Sequence, residues 1–135
     1  MSNDSGGSGR VVLSPHLSIH DVGKAIEYYH RAFKAVELRR FLNEDGSIHI
    51  AEMEIDGHIF HIHEDNPGKG EITPEQAHGT TVIIEFWTDD PDSLFESALA
   101  AGGRSISPMQ DYEYGYRQGR AVDPFGHIWM LQKKI

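Results

Sequence analysis

The chain has 135 residues, of which 39% are hydrophobic, and its formal net charge is -9. This length suits one compact domain or two small repeats that share a core, but not two large domains. The acidic balance argues against a nucleic-acid partner, because phosphate binding requires clustered Lys and Arg. An acidic surface favours cationic or neutral partners, although it is also a common means of solubility.

The chain has no cysteine, which excludes disulfides, thiolate zinc sites and cysteine nucleophiles. Any metal would therefore be held by histidine and carboxylate ligands. No apolar run approaches the roughly 18 residues that span a bilayer, so we expect no membrane partner. Residues 1–10 lack the apolar core of a signal peptide and predict a flexible tail. We expect a cytoplasmic location, with which these features are compatible.

The first half of the chain predicts a strand, a helix and three further strands. Residues 11–19 alternate as a half-buried strand does, and Asp21 caps a helix that continues to about residue 35. Residues 37–42 predict the second strand. Two strongly alternating runs follow, at residues 49–55 and 58–64, separated by the Asp56-Gly57 pair that a type I′ hairpin prefers.

The second half repeats this order. A connecting loop rich in Gly and Pro is predicted at residues 66–79. Asp90 and Pro91 then begin a helix that runs to about residue 101, where Gly102 and Gly103 end it. The predicted strands around this helix cover residues 80–88, 105–109, 117–122 and 128–133. We therefore divide the chain into a tail at 1–10, a first module at 11–65, the loop at 66–79 and a second module at 80–135.

The most specific local signal is the turn that begins with Asp123-Pro124 and ends with Gly126. Proline presets φ and glycine permits positive φ, so this segment predicts a tight turn that leads into a strand. Side chains alternate along a strand, which divides it into two faces. Met130 shares one face with residues 128 and 132, whereas Trp129 lies on the other and should pack on a helix.

The chain resembles the vicinal oxygen chelate superfamily, which includes glyoxalase I, bleomycin-resistance proteins, fosfomycin-resistance enzymes and extradiol dioxygenases. The resemblance covers roughly residues 11–134 and rests on the segments HDVGKAIEYY (20–29), DDPDSL (89–94), AAGG (100–103) and GYRQGRAVDPFGHIW (115–129). The last segment looks most like the PhnB-like branch. The resemblance implies an α+β fold of two tandem βαβββ modules with curled mixed sheets around a cup, and a homodimer.

Superfamily members that use a divalent metal take one ligand from each of four strands. Carried over to this sequence, those positions are Ser14, His61, Ile83 and Met130. Only His61 is a proper ligand, so we expect no metal cofactor. A displaced set is the alternative: His16 and Glu85 each lie two residues further along the same face, and with His61 they would suit Zn, Mn, Fe or Ni.

Aromatic and basic residues of the second module predict a site for a planar ligand. Aromatic rings with a polar tip form good pocket walls, and Arg117 or Arg120 could clamp an anionic group. The candidate ligand-binding residues are Trp87, Tyr112, Tyr114, Tyr116, Arg117 and Met130, and the candidate catalytic residues are His61 and His63. The alternative interpretation is an exposed tyrosine-rich hairpin with solvated arginines.

Three functions remain open at this point. The first is metal-independent binding of a small organic molecule, with sequestration of an antibiotic or a toxic metabolite. The second is a metal-dependent lyase, isomerase, glutathione transferase or dioxygenase, in which His63 or a tyrosine acts as acid or base. The third is a dimeric module whose cup serves as an interaction surface.

Overall fold

The computed structural model describes residues 9–135 and divides them into two modules. The first module consists of β1 (His16–Ile19), α1 (Val22–Phe33), β2 (Val36–Leu42), β3 (Ile48–Ile55) and β4 (His58–Glu64). The connection contains a 3₁₀ turn (Pro67–Lys69) and the short helix α2 (Pro74–Ala77). The second module consists of β5 (Ile83–Trp87), α3 (Pro91–Ala100), β6 (Arg104–Tyr112), β7 (Tyr116–Val122) and β8 (Ile128–Lys134). Residues 1–8 of the predicted tail lie outside the described residues.

Each module forms a four-stranded mixed sheet, with the orders β1-β4-β3-β2 and β5-β8-β7-β6. The first and last strands of each module run parallel, and the remaining neighbours are antiparallel. The predicted tandem βαβββ repeat is thus confirmed. The two sheets do not close into a barrel. None of the helices in residues 9–135 has the length and apolar character needed to cross a bilayer.

The largest differences between the predicted boundaries and the structure lie at four places, one of which is the end of β6 at residue 112 instead of 109. β1 begins at residue 16 instead of 11, and β5 begins at residue 83 instead of 80. Pro15 has no N–H and cannot continue a regular ladder, although its carbonyl still accepts a hydrogen bond from the His61 amide. The loop prediction missed α2, whose capping box pairs the Thr73 and Gln76 side chains with each other's backbone N–H groups.

The hairpin between β3 and β4 has the predicted geometry. Asp56 and Gly57 adopt φ values of 49° and 88°, as a type I′ turn requires. This turn fixes the register of the two strands, in which Ile55 lies opposite His58 and Glu52 opposite His61.

A Gly57→Ala substitution is expected to lower the free energy of unfolding by about 1 kcal/mol, because a side chain disfavours positive φ. Urea denaturation measures this loss. Asp56→Asn is the matched control, since asparagine tolerates the same conformation and should leave stability nearly unchanged. Equal stability of Gly57→Ala and the parent protein would show that the turn is not type I′ in solution.

Helices α1 and α3 belong to one core, which lies between the two sheets. Tyr29 and Phe33 of α1 contact the Trp129 ring of the second sheet at centroid distances of 5.4 and 4.9 Å. Helix α3 contacts α1 as well as strands β6, β7 and β8. The opposite face of each sheet therefore points away from this core, and we call these the first and second concave faces.

The Asp123 turn ties the modules together. The buried Asp123 carboxylate accepts hydrogen bonds from the Tyr29 hydroxyl, the Trp129 indole N–H and the amides of Phe125 and His127. Trp129 thus packs in the core, as its position opposite Met130 predicts. The His127 ring also lies 3.0 Å from a carbonyl of β1.

Candidate functional site

Three histidines form a cluster on the first concave face. His16 of β1 lies opposite His61 of β4 in a parallel register, which places both side chains on the same face. The His16 ring centroid is 5.9 Å from that of His61 and 4.1 Å from that of His63. The Ser18 hydroxyl lies 3.4 Å from His63 Nε2. Two members of the predicted displaced metal set, His16 and His61, are therefore neighbours in the structure. His63 lies beside them.

Glu52 and Arg39 extend this cluster. Glu52 is only 6% exposed, and its carboxylate lies 3.2 Å from His61 Nε2. The other carboxylate oxygen accepts a hydrogen bond of 3.1 Å from Arg39. Glu52 was not predicted as a site residue, although counting from the Asp56-Gly57 turn places it opposite His61. The Glu52 carboxylate, which Arg39 holds in place, therefore fixes the orientation of the His61 ring.

The electrostatics of the cluster disfavour a charge on His16. Burial lowers the pKa of His16 below its ordinary value of 6.5, and the neighbouring His63 and His61 lower it further, against a small opposing effect of Glu71. In the unfolded chain His16 takes up a proton near pH 6.5, whereas in the folded chain it does so only at lower pH. The unfolded state thus binds more protons between these two pH values, and stability falls as the pH drops below 6.5.

We expect His16→Gln to reduce this acid sensitivity. The melting temperature should fall less between about pH 7.5 and pH 5.5 in the variant than in the parent protein, by roughly one or two degrees. Differential scanning calorimetry at the two pH values measures the difference. His58→Gln, at an exposed position of β4, is the control and should leave the pH dependence unchanged.

The second concave face carries a continuous series of aromatic rings. Trp87 of β5 contacts Tyr116 edge-on at 5.5 Å, Tyr116 contacts Tyr114 at 5.7 Å, and Tyr114 stacks on Tyr112 at 5.2 Å. Trp87 and Tyr114 are 55% and 62% exposed. Met130 is buried between β5 and β7 on the same face. The structure thus brings together the predicted aromatic residues and Met130.

The two candidate arginines have different surroundings. Arg117 lies on the helical face of β7, where its guanidinium binds both carboxylate oxygens of Asp92, at 2.8 and 2.7 Å, and one of Asp111, at 3.0 Å. These partners raise the pKa of Arg117 and lower that of Asp92. Its placement does not support the predicted ligand clamp. Arg120, by contrast, is exposed on the second concave face and lines a hollow of about 270 Å³ with Tyr112 and Tyr114.

Glu85 lies apart from the histidine cluster. It lines a groove of about 1020 Å³ between the modules, whose walls include Phe33, Phe60 and Trp87. The groove follows the edge of β5 that faces away from β8, where β5 pairs with no other strand of residues 9–135. Within one chain, Glu85 therefore does not join His16 and His61, and residues 9–135 contain no group of three His, Asp or Glu side chains placed to hold a metal ion.

Comparisons with known proteins agree with this architecture. The family model described as the Glyoxalase/Bleomycin resistance protein/Dioxygenase superfamily matches residues 11–131. The chain belongs to this superfamily. An uncharacterized protein of Mycobacterium bovis is 38% identical over 126 residues, which cover 91% of this chain and 83% of the relative.

Solved structures of this superfamily share its fold. TioX from Micromonospora sp. ML1 is 26% identical with a TM-score of 0.68, over 93% of this chain and 97% of TioX. The fosfomycin resistance protein FosX from Mesorhizobium loti is 16% identical with a TM-score of 0.69, over 93% of each chain. The similarity to FosX shows the fold alone. The assignment to the PhnB-like branch stays a prediction.

The side chains at the standard metal positions of the superfamily do not fit a metal. The Ser14 hydroxyl donates to the Ile59 carbonyl, and Ile83 and Met130 offer no oxygen or nitrogen ligand. The remaining position, His61, is in contact with Glu52. The displaced set of His16, His61 and Glu85 stays a prediction, since its members lie on different modules of the chain.

Proposed function

We propose that this superfamily member binds a small organic molecule on its second concave face. The observation that carries the proposal is the aromatic series from Trp87 to Tyr112, which is in continuous ring contact. Two of its four rings, Trp87 and Tyr114, are exposed. Such rings provide stacking area for a planar ligand at little entropic cost. Met130 supplies a soft, polarisable floor where metal-dependent members carry a carboxylate.

The physiological role that we propose is sequestration of an antibiotic or a toxic metabolite in the cytoplasm. The superfamily name includes bleomycin resistance, and a structural neighbour is described as a fosfomycin resistance protein. Binding without chemistry requires only affinity, which stacking and hydrogen bonds supply.

We also propose a homodimer. β1 and β5 are edge strands with unpaired backbone groups, and Leu13 and Val82 beside them are 96% and 62% exposed. A second copy that paired its first module with the second module of this chain would cover these edges and complete each cup. Such pairing would bring the Glu85 of one copy towards the His16 of the other. Sedimentation at micromolar concentration should give about twice the monomer mass of 15.2 kDa; a monomer would contradict this.

Fluorescence titration tests the binding proposal. The chain has two tryptophans, of which Trp129 is 2% exposed, so ligand contact should alter the emission of Trp87. Titration with a panel containing bleomycin and fosfomycin should show saturable quenching for a panel member, and Trp87→Ala should weaken its binding by about tenfold in calorimetry. Phe41→Ala removes an exposed ring from the other module and is the control. No binding by any panel member would contradict the proposal.

A metal-dependent enzyme of lyase, isomerase, glutathione transferase or dioxygenase type is the second candidate. The contact of His16 and His61 on one face favours it. Metal analysis of protein purified without a histidine tag and incubated with zinc, manganese, nickel and iron(II) tests it. Stoichiometric metal that disappears in His61→Ala would support the enzyme and count against metal-independent binding. His49 pairs with Glu64 near the ends of β3 and β4, and the matched variant His49→Ala should retain the metal.

A further inference from the structure

A chain of hydrogen bonds on the second concave face ends in an unpaired donor. The Tyr114 hydroxyl donates to Gln118 at 2.7 Å, and the Gln118 amide donates to Gln132 Oε1 at 2.7 Å. Gln132 is 1% exposed, and its Nε2 is the one buried side-chain N or O atom in residues 9–135 without a hydrogen-bond partner. Buried polar groups are rarely left unpaired, because the lost solvation is not recovered. This amide is therefore destabilising unless a further molecule satisfies it.

An exposed aromatic residue lies beside Gln132 in the sheet. Gln132 lies between Trp87 of β5 and Gln118 of β7 in the register of the sheet, and all three side chains share the second concave face. The Trp87 ring meets Tyr116 only edge-on and remains 55% exposed. Side-chain rotation of an exposed ring is fast and does not disturb the backbone. A flat ligand that stacks on the exposed Trp87 ring would lie beside the strand position of Gln132.

Arg120 adds a cation on the face that carries Gln132. It lies two residues from Gln118 on the same face of β7, a separation of about 7 Å. Met130 is its direct neighbour on β8, and no ion pair within residues 9–135 involves Arg120. Glu85 lies on the other side of Met130, two strand spacings or about 10 Å from Arg120. At this distance Glu85 does not pair with Arg120, whose charge is available to a ligand.

We propose that this face recognises a planar aromatic acid. The carboxylate pairs with Arg120, the ring system lies over Met130, and an acceptor atom at the far end of the ring accepts the Gln132 N–H. The proposal rests on the proposed function and narrows its ligand class. It assigns Gln132 and Arg120 as binding residues that set the distance between the two polar groups of the ligand.

The first test needs no ligand. Gln132→Met removes the unpaired donor at nearly constant volume, and the half-buried Gln118 amide that loses its acceptor can bond to water instead. The substitution should therefore raise the melting temperature by about 2–4 °C. Gln118→Met is the matched control. It should lower the melting temperature, because it leaves the buried Gln132 side chain without its remaining hydrogen-bond partner. A melting temperature that falls in Gln132→Met would mean that the amide has a structural partner in the assembled protein, and would overturn the proposal.

The second test uses two acids of the same shape. Quinoline-6-carboxylate has a ring nitrogen that can accept a hydrogen bond, and naphthalene-2-carboxylate has none. Calorimetry should show about tenfold tighter binding of the quinoline acid, a preference that Gln132→Met abolishes. Arg120→Gln should weaken both acids by a similar factor.

The outcomes separate this proposal from the broader one. Equal binding of the two acids by the parent protein would overturn the assignment of Gln132 while leaving small-molecule binding intact. Failure of both acids, together with binding of an antibiotic from the fluorescence panel, would overturn the aromatic-acid class alone. Failure of the acids and of the whole panel would overturn both proposals.

Discussion

Asp123→Ala is expected to lower the free energy of unfolding by about 3–5 kcal/mol, because several buried donors lose a charged acceptor at once. Asp123 is 4% exposed, and its Oδ2 accepts from Tyr29 and Trp129 at 2.5 and 2.9 Å. Oδ1 accepts from the amides of Phe125 and His127 at 2.9 and 3.0 Å. Burial is the main cause that raises the pKa of Tyr29, and the Asp123 carboxylate raises it further. The Tyr29 hydroxyl therefore stays protonated and donates. Urea denaturation measures the loss.

Two further variants show whether the network or a single bond is responsible. Asp123→Asn keeps the acceptor for both backbone amides but turns an N–H₂ group towards the Trp129 N–H, so it should cost about half as much as alanine. Asp90→Ala removes an exposed helix cap, which should cost about 1 kcal/mol. If Asp123→Ala cost no more than Asp90→Ala, the Asp123 network would not join the modules in solution.

The sequence predicted the fold well wherever the signal was local. Alternation, the Asp21 and Asp90 caps and the Asp56-Gly57 turn each follow from residue chemistry over a few positions, and the structure confirms them. β1 was predicted too long because residues 11–15 alternate in polarity but do not belong to the strand, although Ser14 and Pro15 each form a hydrogen bond with β4. The alternation of polar and apolar residues indicates which face of a strand is buried. It does not indicate at which residue the backbone hydrogen bonds of the strand begin.

The candidate site was harder to predict, since it depends on pairing between strands. The faces of His16, His61 and Met130 follow from alternation alone. The contact of Glu52 with His61 required the hairpin register. The separation of Glu85 from the histidines depends on how the two modules pack through their helices, which no local pattern encodes. Arg117 and Arg120 lie on opposite faces of β7. Arg117 binds Asp92 of α3, whereas Arg120 faces away from α3.

Gly103 illustrates a position whose importance came only from packing. The sequence suggested that Gly102-Gly103 simply ends α3. In the structure, a Cβ atom on Gly103 would lie 2.9 Å from the Ala98 carbonyl oxygen and 3.0 Å from that of Val122. It would also lie 2.8 Å from the Tyr28 hydroxyl, which donates to the same Ala98 carbonyl and links α1 to α3. Two of these atoms belong to the backbone and cannot move cheaply.

Gly103→Ala should therefore cost about 2–3 kcal/mol of unfolding free energy, mainly by forcing α3 and β7 apart and breaking the Tyr28 hydrogen bond. Gly68→Ala is the matched control, because a Cβ there meets only ordinary contacts and should change stability by less than about 0.5 kcal/mol. Tyr28→Phe in the Gly103→Ala background separates the two causes. If the hydrogen bond is already broken, the second substitution adds almost nothing, whereas in the parent protein it should cost about 1 kcal/mol. Full additivity of the two variants would show that α3 tolerates the extra methyl group without moving away from α1.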